Sequence, residues 1–76
     1  MRIMDLTQMK VGQAGTVVEI QGGHGLMRRL QALGIRDGAR IIKVSSQIIR
    51  GPVTIQIGNT RVAIGFGMAG KIIVKT

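Results

Sequence analysis

The stretch PVTIQIGNTRVAI, residues 52–64, constrains the fold more than any other part of the chain. Val53, Ile55 and Ile57 alternate with Thr54 and Gln56, and Thr60, Val62 and Ile64 resume the alternation beyond Gly58-Asn59. Successive side chains of a strand point to opposite faces, so a period of two marks a strand with one buried face. Two such runs joined by Gly-Asn read as a β-hairpin whose apolar faces match. Pro52 suits the first residue of a strand, where no ladder hydrogen bond is asked of it.

The remaining elements fall around that hairpin. Ala14 opens GTVVEI, a short β-branched run bounded by Gly12 and Gly22-Gly23. It predicts a strand with Thr16, Val18 and Ile20 on one face and Val17 and Glu19 on the other. Leu26, Leu30 and Leu33 recur at helical spacing, with Arg28 and Gln31 roughly opposite and Met27 and Arg29 at the flanks. Gly34 suits a left-handed helix end, and so short a helix holds only if its leucines pack on something. IRDG predicts a turn and ARIIKVSS a second strand, with Ile42 and Val44 on one face. SQIIRG reads as a connection, GFGMAG as a tight irregular turn and KIIVKT as the last strand. Residues 1–12 read as a short helical turn or irregular lead-in. The sum is a mainly β (all-β) single domain spanning residues 1–76. About five short antiparallel strands form a small barrel or crossed sheets, with one short helix inserted after the first strand.

A chain of 76 residues is one small domain. At that size only about 60% of the extended chain's surface is buried, so nearly every aliphatic side chain is needed. Ile, Val, Leu and Met supply the core, for Phe66 is the sole aromatic residue. The absence of cysteine excludes disulfides and thiolate metal sites and fits a reducing compartment. No apolar run reaches the roughly 18 residues of a membrane span, and the N-terminal sequence lacks a signal-peptide core. The expectation is a cytoplasmic protein with no direct membrane insertion.

Eleven Lys and Arg stand against Asp5, Glu19 and Asp37, a net charge of +8. Such a surface attracts nucleic acid, anionic headgroups or an acidic protein, or only keeps the chain soluble. GGHG before a helix could imitate a phosphate-gripping loop. A Walker loop, however, ends in Lys and Ser or Thr, and the dinucleotide version needs a parallel βαβ unit. Turning the backbone from strand to helix explains these glycines better. His24 is the single imidazole, and the few acids and methionine sulfurs do not complete a metal cage around it. No Cys, no second His and no close pair of acids point to catalysis. Met9 and Met68 suit gaps in the core, Met1 and Met4 a terminus, and Met27 a partner. Single-strand nucleic-acid binding leans on stacking aromatics, which are nearly absent; duplex binding through phosphates does not. In SQIIRG at least one of Ile48 and Ile49 points outward beside Arg50, as protein contacts often do.

Several of these residues, taken in order, resemble the FeoA family of bacterial ferrous-iron uptake. The lead-in Leu6, Met9, Gly12, Gly15, Val17 is similar to the family's opening pattern. Arg28, Leu30, Leu33, Gly34, Ile35 and Gly38 resemble its most characteristic segment. Gly51, Pro52, Arg61, Ala63, Ala69 and Ile72 match its closing hairpin and strand. Two turns depart from the frequent Pro-Gly: Val11-Gly12 and Asp37-Gly38. The resemblance implies an SH3-like barrel, a connection to transition-metal ion binding, and an accessory role beside FeoB, the membrane transporter with a cytosolic GTP-binding domain. A similar module closes some iron-dependent repressors.

The expected function is therefore a non-enzymatic accessory protein that docks on the cytosolic part of a FeoB-like transporter and modulates it. No cofactor, resident metal or small-molecule substrate is expected, and weak homo-oligomerisation stays open. The expected contacts are Met27 and Arg28 on the helix and Ile48, Ile49 and Arg50 in the loop. Arginines would pair with acidic groups while Met and Ile supply apolar burial. The alternatives are a small basic barrel that binds RNA or DNA and a metal-responsive regulatory module.

Overall fold

The computed structural model describes residues 2–46, 49 and 51–76. Strands β1 (Ile3–Asp5), β2 (Ala14–Ile20), β3 (Arg40–Ser46), β4 (Val53–Ile57), β5 (Thr60–Ile64) and β6 (Ile72–Lys75) form one antiparallel sheet in the order β1-β6-β2-β3-β4-β5. Helix α1 (His24–Ala32) follows β2, and a single-turn helix, α2 (Phe66–Ala69), precedes β6. The architecture is the expected mainly β one, with six strands instead of about five. The added strand lies in the supposed lead-in: Ile3–Asp5 pairs with β6, and Leu6–Gln8 then forms a 3-10 turn. Three residues are too few for alternation to show in sequence; the pairing comes from a partner some 70 positions away, Lys75 opposite Ile3. GFGMAG is likewise more regular than expected, because its turn of helix buries Ala69.

The hairpin follows its sequence closely. Val53 pairs with Ile64, Ile55 with Val62 and Ile57 with Thr60, which puts the alternating aliphatics on one face. They join Leu6, Met9, Val17, Leu30, Ile35, Ile41, Ala69, Ile72 and Val74 in one hydrophobic core. Met68 packs against that core, so both methionines assigned to it are in place.

Strands β2 and β3 depart from simple alternation. Each carries a bulge, an extra residue that tips the strand and resets which side faces inward. In β2, Val17 opposes Val74 and Glu19 opposes Ile73, leaving Val18 between them without a partner. Val17 and Ile20, three apart, therefore face the core while Val18 is exposed, so the expected face of Thr16, Val18 and Ile20 is broken. In β3 the bulge lies at Val44, between Lys43 and Ser45. Here Ile41 and Lys43 point inward and Ile42 is 42% exposed, while the bulge interrupts the face expected for Ile42 and Val44. Two adjacent isoleucines leave the choice of face open in sequence. The cross-strand neighbours decide it, since buried Gly15 opposes Ile41.

Helix α1 covers the core through one fully buried residue, Leu30, with Leu26 packed at its edge. It ends where expected. Gly34 has a φ of +91°, which an L side chain adopts only with strain. The Gly34 amide donates to Gln31 O at 2.9 Å and the Ile35 amide to Leu30 O at 2.9 Å. These are the two bonds of a Schellman cap, and its usual hydrophobic contact is made by Leu30 and Ile35, both fully buried. The cap changes one expectation: Leu33, third member of the leucine stripe, is the C-cap residue and is 45% exposed. Ile35, just past the helix, takes the core position instead.

Candidate functional site

The one buried charged residue among those described is Lys43, only 3% exposed. The inward face of β3 carries its side chain under the 3-10 turn. There the ammonium donates to three main-chain oxygens, Leu6 O at 3.0 Å, Thr7 O at 3.3 Å and Met9 O at 2.6 Å. The end of a short helix leaves carbonyls without intrahelical partners, and Lys43 satisfies three of them with charge-assisted bonds. The start of the same turn is closed by Asp5 and Gln8. The Asp5 carboxylate accepts from the Thr7 amide at 2.8 Å and from the Thr7 hydroxyl, and Gln8 Oε1 accepts from the Asp5 amide at 3.0 Å. This reciprocal pair is a capping box. Strand periodicity does not single out Lys43, because a polar residue in a strand is assigned to solvent by default. The carbonyls that accept from it lie 34 to 37 residues away, beyond any local signal.

Burial lowers the Lys43 pKa from the ordinary 10.5, and the Asp5 carboxylate offsets part of that shift. The depressed value means that the unfolded chain holds the proton more tightly. Stability linked to this group is therefore greatest above pH 10.5 and falls as pH drops through the folded-state value. Unfolding free energy measured by urea titration is expected to rise as pH climbs towards 10.5, and Lys43→Met should abolish that rise. The network is closed: among the described residues every buried side-chain nitrogen or oxygen has a hydrogen-bond partner. Lys43 thus fastens the N-terminal segment and holds no hydrogen-bonding capacity in reserve for a substrate.

The expected contact residues sit on the outside. Met27, one turn before Leu30, is half-buried at the flank of α1, and Arg28 is exposed on the part of the helix turned away from Leu30. Ile49 is 85% exposed in the β3–β4 connection, as expected for one of the two isoleucines. Ile48 and Arg50 lie outside the described residues. The structure places Met27 and Arg28 next to each other on one helix and Ile49 on a separate connection. A shallow open cleft is found elsewhere, lined by Arg2, Ile3, Met4 and Gln8, and it includes none of these residues. The candidate contacts accordingly stand on two separate elements.

His24 is the first residue of α1 and is exposed. Among the described residues no group of three or more His, Asp or Glu side chains is gathered as metal ligands would be. No helix in the described residues is long and apolar enough to cross a membrane.

Comparison with known proteins gives this geometry a family. The FeoA domain model matches residues 4–76. A protein of Methanocaldococcus jannaschii, provisionally named Fe(2+) transport protein A, is 38% identical over 66 residues, covering 87% of this chain and 78% of that one. The crystal structure of an iron uptake regulatory protein (FeoA) superposes with a TM-score of 0.89 at 37% identity, covering 99% of this chain and 97% of the other. The zinc complex of Stenotrophomonas maltophilia FeoA, described as a prokaryotic SH3 domain protein, gives 0.81 at 26% identity over 95% and 89% of the two chains. The fold alone recurs in a manganese-dependent transcriptional repressor, with a TM-score of 0.90 at 21% identity, where it spans 37% of that chain. Capped helix, bulged strands and paired closing hairpin together form an SH3-like domain, and the chain belongs to the FeoA domain family.

Proposed function

We propose that this chain is a cytoplasmic, non-enzymatic accessory module of ferrous-iron uptake, which docks on the cytosolic part of a FeoB-like transporter and modulates it. The observation that carries this reading is the FeoA domain match across residues 4–76. The geometry agrees with it. The one buried charge among the described residues is spent on main-chain carbonyls, and of the proposed contact residues Arg28 is exposed on α1 and Ile49 in the β3–β4 connection.

Met27 supplies apolar area and Arg28 a bidentate donor for an acidic group, the pairing common at the centre of protein interfaces. Ile49, with Ile48 and Arg50 beside it in sequence, forms the second contact. Biolayer interferometry against the transporter's cytosolic domain tests this. The double variant Arg28→Glu with Arg50→Glu is expected to bind at least ~10-fold more weakly, about 1.4 kcal/mol, while its circular dichroism stays that of the parent. Undiminished binding removes both residues from the interface.

A further inference from the structure

The strand register defines a second surface, separate from α1. Thr16 of β2 stands between Arg40 of β3 and Lys75 of β6, directly opposite each. Side chains of directly opposed residues share a face of the sheet. Two residues along β3 from Arg40, Ile42 stands opposite both Ala14 of β2 and Gln56 of β4. Gln56 in turn opposes Arg61 of β5, whose Nε donates to Gln56 Oε1 at 3.4 Å. This face is the outward one, since the intervening Gly15, Ile41, Lys43 and Ile55 are all buried. Lys75, Arg40 and Arg61 are exposed, and they surround exposed Ile42 and three small or neutral side chains, Thr16, Ala14 and Gln56. Neighbouring strands run ~4.8 Å apart, so the Arg40 and Lys75 backbones are separated by roughly 10 Å across β2.

The carboxylates border this cluster at one edge. Asp5 and Glu19 both oppose Ile73, which shares the outward face with Lys75 two residues along β6, and Asp37 is in the turn before β3. Across Arg40, Ile42, Gln56 and Arg61 the strand register sets no carboxylate, so that part of the face is cationic with an aliphatic centre. We propose that it is a docking surface for anionic lipid headgroups. Phosphate and carboxylate headgroups complement the cations, each worth about a five-fold gain in partitioning at an acidic leaflet. Ile42 enters the interfacial zone while the long stems around it hold their charges at headgroup level. Single-stranded nucleic acid would favour stacking aromatics, and the chain's single aromatic, Phe66, belongs to α2. A duplex would use the cations and leave Ile42 facing a phosphate backbone. This surface uses other residues than the transporter contact proposed above and needs no partner protein, so either can fail alone.

Vesicle sedimentation tests it with the whole chain. Vesicles of phosphatidylcholine containing about 30 mol% phosphatidylserine are compared with pure phosphatidylcholine at ~100 mM salt. Binding is expected to the acidic vesicles only. Arg40→Gln with Lys75→Gln should weaken it ~25-fold, and Ile42→Ser about three-fold with no change in charge. Arg28→Gln with Arg29→Gln removes the same charge from α1 and should cost less than about five-fold. Failure to bind acidic vesicles overturns the proposal. So does equal loss in the two double variants, which would make the cause net charge and not this face. Binding of duplex DNA with the Arg40 and Lys75 sensitivity, and none of vesicles, would replace it with a nucleic-acid surface.

Discussion

Lys43→Ala is expected to destabilise the chain by about 3 kcal/mol, the larger part of it from carbonyls left without a donor beneath the 3-10 turn. Loss of the aliphatic stem's packing adds to this. A chain of this length has roughly 4 to 11 kcal/mol of stability in all, so the variant should lie close to the folding threshold. Its melting temperature should fall by roughly 12 to 24 °C, read by circular dichroism. Lys43→Met separates the two contributions. It keeps the stem but cannot donate, and a cost of about 2 kcal/mol would assign the effect to the carbonyls. Amides of the Ile3–Asp5 strand should exchange with solvent faster in both variants, because Leu6 O, Thr7 O and Met9 O are what Lys43 holds. A melting point within a few degrees of the parent would mean that water satisfies these carbonyls and that Lys43 fastens nothing.

Leu30→Ala should cost about 3 kcal/mol, within the range for emptying a leucine site in a packed core. Its consequence differs from that of other core substitutions. Leu30 is the one fully buried residue of α1, and its carbonyl is also an acceptor of the Schellman cap. The helix would lose both its anchor and the apolar contact to Ile35 that fixes its end, so Met27 and Arg28 would lose their positions together. Urea denaturation should report the energy, and the docking proposed above, measured against a FeoB-like cytosolic domain, should weaken even under conditions where the sheet stays folded. Leu33→Ala is the control. With Leu33 nearly half exposed it should change stability by no more than about 0.5 kcal/mol. Equal costs at the two positions would contradict the way α1 is seated.

The contrast between Leu30 and Leu33 shows how far sequence carries and where it stops. Both belong to one leucine stripe, and helical spacing alone treats them alike. The cap separates them, because Gly34 reverses the chain and hands the last core position to Ile35. The β4–β5 hairpin was legible throughout, since its two strands are adjacent in sequence and Gly58-Asn59 fixes their register. Strands β2 and β3 were legible as strands but not in their facing. A bulge adds one residue without a sequence mark, and at Val18 and Val44 that residue decides what lies inside. Strand β1 was hidden because its partner is at the far end of the chain. Lys43 was hidden for a related reason: a polar residue becomes a core residue only through acceptors brought to it by the tertiary fold. Of the expected contact residues, Met27, Arg28 and Ile49 lie where a partner can reach them, while Ile48 and Arg50 fall outside the described part of the chain. The cationic sheet face could not be read before the register was known, since Lys75, Arg40 and Arg61 are scattered in sequence and meet only across strands.

The position of β6 has its own consequence. Ile72–Lys75 is the last strand to be made, yet it is inserted between β1 and β2 and bonds to both. During synthesis β1 therefore stays unpaired until some 70 further residues have been made, and β2 has an open side until the same moment. Closing contacts between segments so far apart in sequence is slow, because the loop entropy is lost before the contact is gained. The nascent chain thus passes through a stage with a finished hairpin and a raw sheet edge, and its exposure to aggregation is set by how quickly the final segment threads home.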